Sequence, residues 1–301
     1  MPEGTIAEPA GGHLDALRAE LIGIGRVAVA FSGGADSAFL AWVATQTLGR
    51  ENVLCVTAVS PSLAPEELAD CRALAAEWDL MHLEVATREL ADPAYSANDG
   101  SRCYHCKATL MEALEETCAR GARAVGAAGA EEDGPDGAGR WTVVLGVNLD
   151  DLGDHRPGQI AAAERGAQFP LVDAGFTKDA VRSCSRQLGL RTWDKPAAAC
   201  LASRVPYGTR VTLDTLRSVA DAESALRSLG FRQARVRHYG ETARIELPTD
   251  DLATAIDRRE EITVAVHGAG YRYVTLDLDG FRSGNLNAAL AGQVAEPEVV
   301  R

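Results

Sequence analysis

In the first half of the chain, hydrophobic positions fall in short runs separated by glycine, proline or polar turns. Val27-Ala-Val-Ala-Phe31, Val53-Leu-Cys-Val-Thr-Ala-Val59, Met81 to Val85 and Trp141 to Val147 are apolar enough to be strands buried on both faces. Helical stretches lie between them. His13 to Ile24 puts Leu14, Leu17, Leu21 and Ile24 on one face, and Ala38 to Ala44 is a second helix. A third opens at Pro65-Glu66-Glu67, with acidic residues where the helix dipole favours them, and Arg102 to Arg120 is a fourth. Strands alternating with helices predict an α/β fold, a parallel sheet with helices on both faces. Ligands of such sheets sit beyond the C-terminal ends of the strands. The tips at Ser32, Ser60 and Gly146 then surround one crevice, with adenine between the second and fourth strands.

Beyond about residue 209 the pattern changes. Thr212 to Leu229 reads as an amphipathic helix, Ala234 to His238 and Ala243 to Leu247 as a hairpin around Tyr239-Gly240-Glu241, Asp250 to His267 as a helix and Tyr271 to Leu278 as a strand. This predicts a larger domain over 13–209, with a mobile Gly/Ala/acidic insertion at 121–139. A small α+β domain for substrate or oligomerisation follows over 210–289. Flexible tails are expected at 1–12 and 290–301.

The first strand runs directly into Ser32-Gly-Gly-Ala-Asp-Ser37 and then into a helix. That turn exposes backbone N–H groups at a helix N-terminus, and Gly33 and Gly34 let a phosphate approach closely. Ser32 and Ser37 add hydroxyl donors. Asp36 would repel a bare phosphate, so its expected role is to hold Mg²⁺ bridging phosphate oxygens. The string lacks the Gly-Lys-Ser/Thr of a Walker A loop.

Composition narrows the field. A net charge of −13 without a Lys/Arg-rich run disfavours nucleic acid and leaves a small molecule as the expected partner. With no membrane-length apolar run and no signal-like start, the chain is expected in the cytoplasm, where its seven cysteines are thiols, metal ligands or catalysts rather than disulfides.

Three further stretches bear chemistry. In Gly146-Val-Asn-Leu-Asp-Asp-Leu-Gly-Asp154, the groups Asn148, Asp150, Asp151 and Asp154 fit Mg²⁺ or ribose, or a plain polar turn. Cys103 and Cys106 form a C-x-x-C, which is a redox pair, half a metal site or chance. Cys200 lies among small residues with Lys195 and Arg204 nearby, cations that would favour its thiolate; a buried structural cysteine is the alternative. Cys55, Cys71, Cys118 and Cys184 read as core residues.

The SGGADS string resembles the pyrophosphatase loop of the ATP-pyrophosphatase (PP-loop) superfamily, which implies adenylation with release of pyrophosphate. Together with GVNLDDLGDHRPG, WDKPAAACLASRVPYGT, RVRHYGETARIE and LDGFRSGNLN, the chain resembles the LarE family from about Leu14 to Asn287. These are ATP-dependent sacrificial sulfur transferases of nickel-pincer nucleotide biosynthesis. The resemblance implies that ATP adenylates a carboxylate of pyridinium-3,5-biscarboxylic acid mononucleotide. Cys200 then displaces AMP, and its Cβ–S bond breaks to leave a thiocarboxylate and dehydroalanine. It further implies Arg204, Arg235 and Arg237 as substrate contacts, Glu223 as a second Mg²⁺ contact beside Asp36, and a homo-oligomer. Cluster-dependent relatives in the wider PP-loop group hold a [4Fe-4S] cluster on three thiolates, so Cys103, Cys106 and Cys200 as iron ligands are the alternative. A tRNA thiolase, an amide-forming ligase and a nucleotide-binding module without turnover are the competing functions.

Overall fold

The computed structural model of the protein describes residues 10–124, 141–152, 157–196 and 199–282. Residues 125–139 of the expected insertion, the C-terminal tail, Asp154 and the string after Arg282 lie outside these, whereas 121–124, expected in the insertion, close a helix and 10–12, expected in a tail, open the first one.

The elements are, in order, α1 (Ala10–Ile24), β1 (Val27–Ala30), α2 (Ala35–Leu48), β2 (Val53–Val59), α3 (Pro65–Glu77), β3 (Met81–Ala86), α4 (Pro93–Ala97), α5 (Arg102–Ala124), β4 (Thr142–Val144), α6 (Pro157–Glu164), α7 (Pro170–Asp173), α8 (Lys178–Gln187), α9 (Leu213–Ser228), β5 (Arg235–Tyr239), β6 (Thr242–Glu246), α10 (Leu252–Asp257), α11 (Arg259–Gly268) and β7 (Tyr273–Leu276). They form two compact units. One comprises residues 1–60, 65–88 and 103–198, the other 61–64, 89–102 and 199–301. The sequence-based division at 209 differs from these units, in which 61–64, 89–102 and 199–209 fall with the second, because a change in periodicity marks elements and not contacts.

In the first unit β1 to β4 make a parallel sheet in the order β3-β2-β1-β4. The chain builds outward from β1 through β2 to β3, then returns to the other side of β1 for β4. The order therefore reverses beside β1, where open α/β sheets bind ligands. Alternate strand residues feed two cores. Val27, Val29, Val53 and Cys55 pack with Leu17, Leu21, Phe39 and Phe176 on one face. Ala28, Leu54, Val56 and Val143 pack with Met111 and Leu114 on the other. This two-sided burial explains why the strands read as continuous apolar runs rather than alternating ones.

The second unit holds the sheet β5-β6-β7, antiparallel between β5 and β6 and parallel between β6 and β7. Gly240 takes a φ of 61° at the first position of a two-residue hairpin loop, a conformation glycine accepts without strain. The single helix expected over 250–267 is two, α10 and α11, meeting at Arg258. Val236, Ile245, Leu226 and Val266 form the core of this unit. Among the described residues no helix is long and apolar enough to cross a membrane.

Candidate functional site

In the first unit the turn after β1 is built around two glycines with different reasons. Gly33 has a φ of 68°, and a Cβ there would lie 2.9 Å from Cys71 Sγ, so both backbone and packing demand glycine. At Gly34 an added Cβ would meet only Ser32 Oγ at 3.6 Å. Protein packing leaves that position open, and a ligand is what glycine there admits. Gly34 is the N-cap of α2 and no side chain caps the helix, so its first amides are available to an anion. The turn is stapled by its serines: Ser37 Oγ donates to Gly34 O at 3.2 Å and accepts from Ser32 N at 3.3 Å, with Ser32 Oγ 3.0 Å away. Ser60 is half-buried just beyond β2. Gly146, just beyond β4, has a shape-setting role: a Cβ there would sit 2.8 Å from Ser37 N and 2.9 Å from Asp36 C. Strand end and helix start touch at backbone level.

Asp36, in the first turn of α2, is half-buried and accepts from Asn148 Nδ2 at 3.1 Å. Burial pushes its carboxyl above the ordinary range, the Asn148 bond and Lys178 work against this, and the Asp151 charge adds to it. Asn148 and Asp151 are themselves locked together, Asp151 Oδ2 accepting from Asn148 N at 3.2 Å, as Asn148 Oδ1 accepts from Asp150 N at 3.1 Å. Asp150 takes a structural part, accepting Lys178 N at 2.6 Å at the start of α8. Two neighbouring carboxylates that repel each other, Asp36 and Asp151, are the chemistry a divalent cation would suit, while Asn148 turns its amide N–H to Asp36 and its oxygen to Asp150 N. Lys178, far from Asp36 in sequence, is a contributor that no local pattern announces.

Lys195 holds this turn from behind. Its Nζ donates to Gly33 O at 3.1 Å and to Asp70 Oδ2 at 2.6 Å, and pairs with Glu67 at 2.8 Å. Arg191 joins the same network through Asp70 and Glu77. Burial favours the neutral amine, yet Asp70 and Glu67 hold Lys195 above its ordinary value. The cation expected to activate a thiol is committed to α3 and to the phosphate turn.

Cys103 is exposed and Cys106 half-buried in the first turns of α5. Cys55, Cys71 and Cys184 are buried, and burial pushes the Cys55 thiol up to about 12 and Cys71 up to about 11; Cys118 is half-buried. Among the described residues no group of three or more His, Cys, Asp or Glu side chains is arranged to hold a metal ion.

In the second unit Cys200 is exposed, immediately before a 3-10 turn at Leu201–Arg204. Its backbone is fixed on both sides. Leu201 N donates to Ser62 O at 2.8 Å, and Arg204 Nη1 reaches Ala199 O at 2.6 Å and Cys200 O at 3.1 Å. Arg204 is buried and bidentate on Glu223, Nε to Oε1 at 2.8 Å and Nη2 to Oε2 at 3.0 Å. Glu223 also accepts Val236 N at 3.0 Å. A carboxylate filled by a guanidinium fork and a backbone amide has no room for Mg²⁺, which corrects the expectation for Glu223. Arg204 likewise serves Glu223 and the cysteine backbone, where a substrate contact was expected.

The two alternating arginines of β5 do not share one environment. Arg237 is buried against Glu246, at 2.8 Å, and donates to Ser203 O at 2.8 Å, so its charge is spent inside the unit. Arg235 lies with its guanidinium 4.7 Å from the Phe281 ring centre. Burial lowers Arg235 to about 10, and repulsion from Arg204 and Arg237 adds to this against the pull of Glu223 and Glu246.

The NAD synthase family profile matches residues 17–123. The chain is 43% identical over 267 residues to an uncharacterised protein of Synechocystis, covering 88% of this chain and 93% of that one. It is 36% identical over 274 residues, 91% of this chain and 93% of the other, to the pyridinium-3,5-bisthiocarboxylic acid mononucleotide synthase of Lactiplantibacillus plantarum. An uncharacterised protein of Methanocaldococcus jannaschii is 26% identical over 258 residues, 86% of this chain and 91% of its own.

Proposed function

Because the chain belongs to the LarE family of ATP-dependent sulfur-transferring enzymes, we propose that it makes a thiocarboxylate of pyridinium-3,5-biscarboxylic acid mononucleotide with the sulfur of its own Cys200. The uncapped, glycine-lined turn at Ser32–Ser37 takes the phosphates of ATP on the amides at the start of α2. Asp36, positioned by Asn148 and with Asp151 nearby, would hold Mg²⁺, whose charge would neutralise phosphate oxygens. The substrate carboxylate attacks the α-phosphorus and pyrophosphate leaves, converting a poor electrophile into an acyl-adenylate. The Cys200 thiolate then attacks the acyl carbon and AMP departs, leaving a thioester. Removal of the Cα proton and cleavage of Cβ–S release the thiocarboxylate. Arg235, half-buried on β5, is the candidate for the substrate phosphate. The reaction belongs in the cytoplasm, and a homo-oligomer is the expected assembly.

Exposure of Cys200 carries this reading, since a thiol meant to be consumed must reach an acyl-adenylate, whereas Cys55, Cys71 and Cys184 are sealed in cores. Intact-mass analysis after turnover tests it. The expected result is loss of the elements of H₂S at Cys200, one sulfur delivered per chain, with Cys103→Ala and Cys106→Ala still active. Repeated turnover on added sulfide with Cys200 unchanged, and iron in anaerobically purified protein, would overturn it in favour of a cluster.

A further inference from the structure

The carbonyl oxygen of Cys200 accepts two hydrogen bonds, from Ser203 N at 2.9 Å and from Arg204 Nη1 at 3.1 Å. We infer that these two donors form an oxyanion hole for the elimination step, making Arg204 a catalytic residue that acts on the cysteine's own backbone. The inference rests on the sacrificial reading of Cys200.

The chemistry requires such a site. When a base removes the Cα proton of the Cys200 thioester, the electron pair left on Cα delocalises onto the adjacent carbonyl oxygen as an enolate. The pair then returns to form Cα=Cβ as the Cβ–S bond breaks, and the thiocarboxylate leaves with the sulfur and its electrons. The proton goes to a solvent base, which reaches Cys200 because the residue is exposed. Negative charge therefore gathers, transiently, on the oxygen that already has two donors.

Arg204 is held for this task. Its Nε and Nη2 are occupied by Glu223, which is 1% exposed, so the plane of the guanidinium is set. The remaining nitrogen, Nη1, is left to serve Ala199 O, Cys200 O and Ser203 Oγ at 3.0 Å. Glu223 in turn is oriented by Val236 N from β5. The Ser203 N–H reaches the same oxygen as the i→i+3 bond that opens the 3-10 turn, so the turn itself supplies the second donor, and a substrate-binding arginine has no need to contact the peptide of the nucleophile.

The test uses elimination without the substrate. Dibromoadipamide converts exposed thiols to cyclic sulfonium adducts, which lose a neutral thioether and leave dehydroalanine by the same Cα–H and Cβ–S cleavage. Exposed Cys103, whose carbonyl sits in the ladder of α5, is an internal control. In the wild type, dehydroalanine is expected to form at least about tenfold faster at Cys200 than at Cys103. In Arg204→Lys, checked for fold by circular dichroism, the Cys200 rate should fall by about a hundredfold while Cys103 is unchanged, as for loss of one oxyanion donor. With ATP and the natural substrate, the same variant should release pyrophosphate and accumulate the thioester on Cys200. Equal rates at the two cysteines in the wild type, or an unaltered Cys200 rate in folded Arg204→Lys, would overturn the inference; the wild-type comparison decides alone should the variant not fold. Failure of the sacrificial reading is a different result: unmodified Cys200 in wild type after sulfur transfer.

Discussion

The two chemistry-bearing regions manage charge in opposite ways. The phosphate turn of the first unit is left electrostatically incomplete: α2 starts without a side-chain cap, and Asp36 faces Asp151 with burial raising its carboxyl. The arginine cluster of the second unit is nearly closed on itself, with Arg204 on Glu223 and Arg237 on Glu246. A region built to receive a ligand bears an unmet demand in the free protein. One that shapes backbone bears its charges in pairs.

The contrast is broken most severely at Asp36. On the proposed reading, in which Asp36 is the principal cation ligand, Asp36→Asn should cut substrate-dependent pyrophosphate release by about a thousandfold. It should also make the free protein slightly more stable, by about 2 °C in melting midpoint. The sign follows from linkage. A carboxyl held above its ordinary value in the folded chain carries no penalty below its unfolded value and its full penalty above the folded one. Wild-type stability should therefore fall as pH rises through the carboxylate range by more than that of the variant, as thermal melts over that range would register. Equal activity in Asp36→Asn, or a lower melting midpoint, would remove Asp36 from the ligand site.

Arg237→Ala should behave in the opposite manner. Glu246 is fully buried, and removing Arg237 leaves Arg244, at 3.0 Å, to answer its charge, a loss of up to about 3 kcal/mol by urea unfolding. Arg235→Ala should weaken substrate binding with much less effect on stability. If Arg237→Ala instead unfolds at the wild-type urea midpoint, the second region is not the self-paired one described.

The smallest expected effect sharpens the first region. Lys195→Met removes the tether on Gly33 O, takes a cation from Glu67 and leaves Asp70 with Arg191 alone beside the turn. The KM for ATP should rise about tenfold while kcat changes less, and Asp70→Asn in the same chain should recover part of the loss. A change in kcat alone would mean that Lys195 does not act through the phosphate turn.

Much of this was legible in the residues themselves. Strand, double glycine, acid and helix in succession define an anion site through backbone geometry, and backbone geometry is local. The two-sided apolar runs announced the parallel sheet for the same reason, since which neighbours a strand needs is written in its own residues. Arg204, Glu223 and Arg237 were legible only as charged residues. Their partners lie 19 residues apart for Arg204 and Glu223, and 9 apart across a hairpin for Arg237 and Glu246.

By itself, then, the chain's order of residues determined the α/β class, the phosphate turn, the candidate thiol and the family. Tertiary structure alone decided which charges are free to meet a ligand. It turned Lys195 from a cysteine activator into a tether, closed Glu223 to metal, and set Arg204 on the carbonyl of Cys200. The physical reason is that a charged side chain reaches several ångströms in any direction, and its role is fixed by the counter-charge that folding brings within hydrogen-bond distance. Sequence spacing carries no record of that partner.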